Sequence, residues 1–304
     1  MAARSIHIGA RPTEYRGNAA TRVFALIGHP VGHSLSPVFQ NAALRALGLD
    51  ATYVAVDVGR SDLRESVHRM RQAAQAGRLA GVNVTVPHKV SIASHLDRLG
   101  ERARAIGAVN TICFDATASP VALVGRNTDV DGIRHALEDV GVRLRGTSVL
   151  VLGAGGAARA AVWAALDSEA AEICVASRNT AQARQLVDGV GATRAAESSR
   201  LSVCELGNVP VERLRRARLL IQATPLGMHE ADPSPVDLAP ASPDLFVFEL
   251  VYQRETALLR HARAAGLRTA NGLDMLVHQG AASLRAWTDL EPPLAVMKRS
   301  LQER

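Results

Sequence analysis

The feature that most restricts the folds open to this 304-residue chain is a glycine-rich segment that directly follows a strongly apolar run. Residues 147–152 read Thr-Ser-Val-Leu-Val-Leu, which predicts a buried strand, and the segment after them opens a predicted helix. In the dinucleotide-binding pattern, small residues here permit a tight turn and let backbone N–H groups approach a pyrophosphate at the helix N-terminus. The small residues are Gly153, Ala154, Gly155, Gly156 and Ala157. We therefore predict a dinucleotide-binding unit, the alternative being a tight strand-to-helix connection without a ligand.

The end of the next predicted strand discriminates between the two nicotinamide dinucleotides. Units that bind NAD usually end this strand with Asp or Glu, which accepts hydrogen bonds from the ribose 2′-hydroxyl. Here Ala176 is followed by Ser177, Arg178, Asn179 and Thr180, without an acid. Arg178 can pair with a 2′-phosphate, and Ser177 and Thr180 can add neutral donors. The sequence favours NADP and leaves NAD open, while the alternative interpretation of Arg178 is a solvated residue that begins the next helix.

Strands and helices of similar size alternate along the chain, which is typical of parallel sheets with crossover helices. The first series has predicted strands at 23–27, 52–56, 81–86 and 111–114 and helices at 36–47, 61–76 and 90–99. The second series runs from about residue 135 to 270 and contains the glycine segment. We predict an α/β fold with a mostly parallel N-terminal domain at 22–127, a Rossmann-type domain at 128–271, and C-terminal helices at 272–304 that pack on the N-terminal domain. Residues 1–21 are arginine-rich and lack clear periodicity, which predicts a flexible extension, with a targeting peptide as the alternative.

Composition excludes several classes of protein. Apolar residues make up 47% and charged residues 21% of the chain, which is typical of a globular protein, and no apolar run is long enough to predict a membrane span. The three cysteines, Cys113, Cys174 and Cys204, are far apart and odd in number, which disfavours a disulfide framework or a zinc site and favours the cytoplasm. The net charge of +6 comes with only 3% aromatic residues, too few for base stacking, so we expect a small anionic substrate and no nucleic acid.

Lysine usage singles out one candidate catalytic residue. Of the 35 basic residues only Lys89 and Lys298 are lysines, and Lys298 lies in the polar C-terminal tail. In a chain that otherwise uses arginine, a retained lysine is suited to a role that requires loss of a proton. Lys89 is therefore a candidate catalytic residue. The alternative is a surface lysine after a proline turn.

Six polar segments occur in a fixed order along the chain, and the four in the first domain are expected just past strand ends. Parallel sheets bind ligands at this end of their strands. The segments read Gly-His-Pro-Val-Gly-His-Ser-Leu-Ser-Pro at 28–37, Asn-Val-Thr-Val-Pro-His-Lys at 83–89, Gly-Ala-Val-Asn-Thr at 107–111, Gly-Arg-Asn-Thr-Asp-Val-Asp-Gly at 125–132, Gln-Ala-Thr-Pro-Leu-Gly-Met at 222–228 and Asn-Gly-Leu-Asp-Met-Leu-Val-His-Gln-Gly at 271–280. As a set, spanning residues 23–287, they resemble the shikimate dehydrogenase family.

The resemblance implies reversible, NADP-linked reduction of 3-dehydroshikimate to shikimate in a cleft between two α/β domains. It implies that Lys89 and Asp129 form the acid–base pair, Asp129 having the alternative role of a helix N-cap. It places substrate contacts at Ser34, Ser36, Thr85, Asn110, Tyr252 and Gln279, where helix capping is the alternative for Ser36. In addition to residues 153–157 and to Ser177, Arg178 and Thr180, it places cofactor contacts at Thr224, Met228 and Gly272.

Four residues depart from the family pattern: Gln40 replaces a common His, Gln222 the usual Asn, Arg254 a frequent Pro and Asp274 a usual Gly. They leave open a quinate/shikimate or aminoshikimate-type dehydrogenase that uses NAD or both cofactors. A separate alternative is a non-enzymatic dinucleotide-binding module on the same fold. The histidines near the expected site, His29, His33, His88 and His278, are too dispersed to predict a metal site. The assembly is expected to be a monomer or a homodimer.

Overall fold

The computed structural model describes residues 2–303 and divides into two compact units. The first unit contains the chain up to Thr128 together with the chain from Val277 onward, and the second contains Asp129–Leu276. The sequence predicts that the second domain begins at residue 128 and that the C-terminal helices, which return to the first domain, begin at residue 272. Within residues 2–303, no helix combines the length and apolar character needed to cross a bilayer.

The elements of the first unit that precede residue 128 form a hairpin, a six-stranded sheet and three α-helices. They are β1 (Ala2–Ile6), β2 (Thr13–Gly17), β3 (Arg22–Gly28), α1 (Ser36–Ala46), β4 (Ala51–Asp57), α2 (Leu63–Gln75), β5 (Leu79–Val84), β6 (Arg98–Leu99), α3 (Glu101–Ile106), β7 (Thr111–Asp115) and β8 (Ala122–Arg126).

The remaining elements belong to the second unit and to the C-terminal part of the chain. They are α4 (Asp129–Asp139), β9 (Ser148–Leu152), α5 (Gly156–Asp167), β10 (Glu172–Ser177), α6 (Thr180–Thr193), β11 (Leu201–Glu205), α7 (Val211–Arg216), β12 (Leu219–Gln222), β13 (Phe246–Glu249), α8 (Ala257–Ala264), β14 (Arg268–Asn271), α9 (Leu273–Thr288) and α10 (Leu294–Gln302).

The main sheet of the first unit has the strand order β4-β3-β5-β7-β8-β6. β3 pairs in parallel with β4 and β5, β7 runs antiparallel to β5 and β8, and β6 is parallel to β8. The strands β3 and β5 are mostly apolar and almost entirely buried, as expected for a sheet covered by helices. The predicted α/β class with a mostly parallel sheet is confirmed.

The C-terminal helices contribute to the core of the first unit. From Val277 onward, α9 belongs to this unit, as does α10. The Trp287 ring stacks on Phe24 of β3 with ring centroids 5.1 Å apart, and Trp287 Nε1 donates a hydrogen bond of 3.0 Å to Ile112 O. The end of the chain therefore packs directly against the strands formed by its beginning.

The prediction of a flexible extension over residues 1–21 is wrong for the described residues of that segment. β1 and β2 pair as an antiparallel hairpin, and Ile6 and Ile8 are 2% and 0% exposed within the core of the first unit. Tyr15 packs against the same core. The arginines that suggested disorder lie on the solvent side, while a few apolar residues are enough to anchor so short a hairpin.

The predicted helix at 90–99 is also wrong. Only a 3₁₀ turn forms at Ser91–His95, after which the backbone pairs with β8. Asp97 N donates to Leu123 O (3.1 Å) and Gly100 N to Gly125 O (2.8 Å). Because these N–H groups donate to β8, they cannot continue a helix. The strand β8 was not predicted from the sequence.

The sheet of the second unit has the order β11-β10-β9-β12-β13-β14, with every neighbouring pair parallel. Chain order reverses at the contact between β9 and β12. In a doubly wound sheet, the loops at the carboxyl ends of such strands form the ligand-binding crevice. The glycine segment leaves β9 at that position.

Replacement of Ile8 by alanine tests whether the N-terminal hairpin is part of the folded core. We expect Ile8→Ala to lower the free energy of unfolding by about 2 to 5 kcal/mol, because it opens a cavity among buried side chains. Urea denaturation followed by circular dichroism measures the change, with the exposed Arg11→Ala as the matched control. Equal unfolding midpoints for the two variants would show that the hairpin is not anchored.

Candidate active site

A network of buried polar side chains connects the elements of the first unit at its predicted substrate site. Its members are nearly inaccessible to solvent and come from β5, the start of β7 and the residue before it, the residue before α4, and α9: Asn83, Asn110, Thr111, Thr128 and Ser283. Asn83 Nδ2 donates to Asn110 O (3.0 Å) and to Ser283 Oγ (2.9 Å), and the hydroxyls of Thr111 and Ser283 are 2.8 Å apart. Since buried polar groups must be paired, this network fixes the relative positions of the four segments.

The network also fixes the orientation of two side-chain amides that we predicted to bind substrate. The backbone N–H of Thr128 donates to Asn110 Oδ1 (2.8 Å), so the other terminal atom of Asn110 is the nitrogen. That Nδ2 donates to Thr128 Oγ1 (2.8 Å) and to Gln279 Oε1 (3.2 Å). Asn110 and Gln279 are thus brought together, and Gln279 turns its oxygen towards Asn110.

Lys89 lies on the loop after β5, close in space to the segment that carries Asn110. Its carbonyl oxygen accepts a hydrogen bond of 2.7 Å from Val109 N, and its side chain is half-buried. Thr85 also follows β5, and its backbone N–H donates to Ile27 O of β3 (2.9 Å). The segments at 83–89 and 107–111 therefore meet at one edge of the sheet.

Ser34 and Ser36 lie at the start of α1. Ser34 Oγ accepts a hydrogen bond of 3.2 Å from Ser36 N, and Ser36 is 5% exposed at the first position of the helix. The side chain of Ser36 does not cap the helix, which has no side-chain cap hydrogen bond. The capping interpretation of Ser36 is therefore not supported.

The histidines of this region have separate partners. His88 is buried and its Nε2 lies 2.7 Å from Val58 O, which can only accept, so Nε2 carries a proton. His29 Nδ1 lies 3.0 Å from Asp57 Oδ2 in an exposed pair. Among residues 2–303, no group of three or more His, Cys, Asp or Glu side chains is arranged to hold a metal ion.

In the second unit, the glycine segment forms the turn between β9 and α5. Gly153 has φ of +113°, and its N–H donates to Ala176 O of β10 (2.7 Å). A Cβ at Gly153 would lie 3.0 Å from Ala223 O, so both conformation and space require glycine there. A Cβ at Gly155 would meet no atom within 4 Å, which leaves open space beside the N-terminus of α5. Ala154 is buried, and Gly156 and Ala157 form the first turn of α5.

The residues after β10 form a hydrogen-bonded turn that leads into α6. Ser177 Oγ accepts from Asn179 N (3.2 Å), and Asn179 Oδ1 accepts from Gln182 N (3.0 Å) as the N-cap of α6. Arg178, between Ser177 and Asn179, is exposed, and Thr180 is the first residue of α6. The turn therefore holds the backbone of Arg178 while its guanidinium faces solvent.

A row of polar residues ends three neighbouring strands of the second sheet. Gln222 of β12, Glu249 of β13 and Asn271 of β14 are partners in the sheet register. Each binds the backbone that follows it: Gln222 Oε1 accepts from Thr224 N (2.8 Å), Glu249 Oε1 from Val251 N (3.0 Å) and Asn271 Oδ1 from Leu273 N (3.1 Å). We call these three residues the strand-end row.

The strand-end row supports the loops that carry four predicted ligand residues. Thr224 and Met228 follow Gln222, Tyr252 follows Glu249, and Gly272 follows Asn271. Gly272 is tightly packed, because a Cβ there would lie 2.3 Å from Leu250 O. Sequence reasoning missed Glu249, although an acid at the end of an otherwise apolar strand was a usable signal.

The four departures from the family pattern occupy different environments. Gln40 is buried; its Nε2 donates to Gly280 O (2.9 Å), while its Oε1 has no hydrogen-bond partner among residues 2–303. Gln222 uses its longer side chain to span the next loop, with Nε2 donating to Leu226 O (2.7 Å). Arg254 is exposed on the loop after β13, and Asp274 lies in the first turn of α9, where a carboxylate is favoured by the helix dipole.

Glu249 is fully buried and has an unusual pKa. Burial raises the pKa of its carboxyl from 4.5 to about 7, against the opposing effect of hydrogen bonds from Val251 N and Thr256. Its Oε2 accepts from Thr256 Oγ1 at 3.1 Å. The charged form is therefore disfavoured by desolvation and partly restored by its donors.

The two units together define an α/β protein with a Rossmann-type unit and a separate α/β unit that carries a buried amide site. The chain belongs to the shikimate dehydrogenase family. The Shikimate dehydrogenase substrate binding domain matches residues 26–112, and the Shikimate 5'-dehydrogenase C-terminal domain matches residues 272–302.

Three relatives illustrate the extent of the similarity. Shikimate dehydrogenase (NADP(+)) of Geobacter metallireducens is 41% identical over 92% of this chain and 95% of its own length. A crystal structure of a shikimate dehydrogenase in complex with NADP+ superposes with a TM-score of 0.83 at 34% identity, covering 95% of this chain and 97% of the other. The shikimate 5-dehydrogenase of Thermus thermophilus, solved with NADP(H) and shikimate, gives a TM-score of 0.78 at 37% identity, covering 93% of this chain and 99% of the other. The resemblance inferred from the sequence segments is confirmed.

The raised pKa of Glu249 predicts a pH-dependent contribution to stability. Between pH 4.5 and about 7 the folded protein binds more protons at this site than the unfolded chain, so its contribution to stability falls as pH rises. Glu249→Gln removes the titration. Relative to the unaltered protein, we expect the variant to gain about 3 kcal/mol in free energy of unfolding between pH 4 and pH 8.

Chemical denaturation at several pH values measures this difference, and contributions from other groups cancel in the comparison. Glu255→Gln, which alters an exposed carboxylate on the same loop, is the control. A difference between Glu249→Gln and the unaltered protein that does not vary with pH would rule out a raised pKa at Glu249.

Proposed function

We propose that this protein catalyses the reversible, NADP-linked reduction of 3-dehydroshikimate to shikimate. The observation that carries the proposal is the similarity to a shikimate dehydrogenase (NADP(+)) over 92% of the chain. The oriented amides of the first unit and the glycine turn of the second support it. Three free cysteines are in keeping with action in the reducing cytoplasm.

Substrate recognition rests on neutral hydrogen-bonding groups of the first unit. A polyhydroxylated ring acid offers both donors and acceptors, and each one left unpaired costs about 1 to 3 kcal/mol. Gln279 and Thr85 supply amide and hydroxyl groups for the ring, and the hydroxyls of Ser34 and Ser36 bind the carboxylate. We also assign Asn110 to the ring, a contact for which its Nδ2 must release Gln279 Oε1. We also assign a substrate contact to the phenol of Tyr252.

The acid–base step is assigned to Lys89. When bound, the reduced nicotinamide supplies a hydride to the ketone carbon, and the oxygen then needs a proton. Lys89 donates that proton from Nζ in reduction and recovers it in oxidation. Asp129 is the carboxylate partner; it directly follows Thr128, so the buried network sets where α4 begins.

The residues of the second unit fit an NADP molecule. The open space at Gly155 and the N-terminus of α5 suit a pyrophosphate, held by backbone groups of residues 153–157. Ser177, Arg178 and Thr180 suit a 2′-phosphate, with no acid at the end of β10 to repel it. Thr224, Met228 and Gly272 would flank the ribose and the nicotinamide.

One observation favours a related substrate as the second candidate. Gln40 departs from the family pattern, and its buried Oε1 has no partner among the described residues, so it can accept a hydrogen bond from a ligand hydroxyl or a water. Quinate carries one more hydroxyl than shikimate on a saturated ring. A quinate/shikimate dehydrogenase is therefore the alternative.

Initial rates with shikimate and quinate, each with NADP+ and NAD+, test the function. We expect the highest kcat/KM for shikimate with NADP+, and we expect Arg178→Ala to weaken NADP+ far more than NAD+, because only NADP+ has the phosphate that the guanidinium pairs with. Faster turnover of quinate, or a preference for NAD+, would favour the alternative. Binding of NADPH without turnover of any cyclic hydroxy acid would instead indicate a sensor.

Replacement of Lys89 by alanine tests its role in proton transfer. We expect kcat to fall by about 10²- to 10⁴-fold, the usual contribution of general acid–base catalysis, with little change in the Kd of NADPH. Lys298→Ala, which removes the other lysine of the chain, is the matched control and should keep full activity. An active Lys89→Ala enzyme would refute the assignment.

A further inference from the structure

The loop that carries Tyr252 is closed by a single buried carboxylate. Glu249 Oε1 accepts from Val251 N at the start of this loop (3.0 Å), and Oε2 accepts from Thr256 Oγ1 at its end (3.1 Å). Glu249 is 0% exposed and Thr256 is 3% exposed. The two carboxylate oxygens therefore hold the two ends of residues 251–256, with Tyr252 between them.

The far end of this loop is held a second time by the helix that follows. Thr256 Oγ1 accepts from Leu259 N at 3.2 Å and is the N-cap of α8. The same hydroxyl thus donates to Glu249 and accepts from the helix, which uses its single proton on the carboxylate. The carboxylate, the hydroxyl and the helix form one continuous hydrogen-bonded chain.

The near end of the loop is confined by the neighbouring loops of the strand-end row. The carbonyl of Leu250 lies against Gly272, where no Cβ would fit, and Leu250 N donates to Gln222 O at 3.0 Å. Residues 250–256 are therefore held by the segments at Gln222 and Gly272 as well as by the Glu249 carboxylate. Tyr252 is half-buried, and its backbone belongs to this held segment.

We propose that Glu249 is a positioning residue that acts through Tyr252, by holding the loop after β13 so that the phenol meets the substrate. This inference rests on the proposed function, in which Tyr252 contacts the ring acid. A carboxylate suits the task because both of its oxygens accept and neither carries a proton that needs an acceptor. Glutamine has one acceptor oxygen, so it cannot accept from both Val251 N–H and Thr256 O–H; its amide nitrogen either meets one of these donors or requires the Thr256 hydroxyl to turn its proton away.

A double-mutant cycle between Glu249 and Tyr252 tests the proposal. We expect Glu249→Gln to raise the KM for shikimate about tenfold with kcat changed less than about twofold, because Tyr252 binds substrate and transition state alike. In a Tyr252→Phe background, the same substitution should change the KM less than about twofold, since the group through which it acts is already gone. Glu255→Gln, on the same loop, is the control.

The outcomes separate positioning from a merely structural role. If Glu249→Gln raises the KM equally in both backgrounds, lowers kcat without changing the KM, or is matched by Glu255→Gln, the proposal is wrong.

Amide hydrogen exchange in the ligand-free protein gives a readout that does not depend on activity. Faster exchange at Val251 and Leu259 in Glu249→Gln than in Glu255→Gln supports the tether, and unchanged exchange overturns it. Absence of shikimate turnover in the unaltered enzyme would overturn the proposed function, while hydrogen exchange would still decide whether Glu249 holds the loop.

Discussion

The hydrogen-bonded network of Asn83, Asn110, Thr111, Thr128 and Ser283 is the constraint on which the first unit depends. All of these side chains are buried, so none can exchange its partner for water. Thr128 is the last residue before the chain leaves this unit, and Ser283 lies on the helix by which it returns. Their hydroxyls are 3.1 Å apart. A donor or acceptor removed anywhere in the network leaves another unpaired, and this interdependence gives the amides of Asn110 and Gln279 a single orientation.

In the second unit, the loops that carry predicted ligand residues are held by separate side chains and not by one connected network. Gln222, Glu249 and Asn271 each end a strand and bind the N–H groups of the loop that follows. Loops with predicted ligand contacts thereby receive fixed starting points from a rigid parallel sheet. The cost is the burial of an acid, visible in the raised pKa of Glu249. Gln222 shows that a longer amide can replace the usual residue without an unpaired group, because its extra length spans the loop to Leu226.

Sequence reasoning predicted the features that depend on neighbours along the chain. The apolar strand before Gly153 and the end of the next strand near Ala176 are local patterns, and the structure has both. Features that depend on distant partners were missed or wrong. Residues 97–100 pair with a strand that had not been predicted, and Ile6 and Ile8 find their core only in the folded unit. The connection of Asn83 to Ser283 spans a sequence separation of 200 residues, which no local pattern reveals. The roles of the individual site residues stay predictions.

The stacking of Trp287 on Phe24 has a consequence for biosynthesis. The first unit is assembled from two stretches of chain that are separated by the whole of the second unit. The whole of the second unit is therefore synthesised before the residues that complete the first. Until then, Phe24 and the strand that carries it lack their aromatic cover, and the nascent chain exposes an apolar face that chaperones can recognise. The amide site, whose network includes Ser283 of α9, can therefore form only after this later part of the chain has been made.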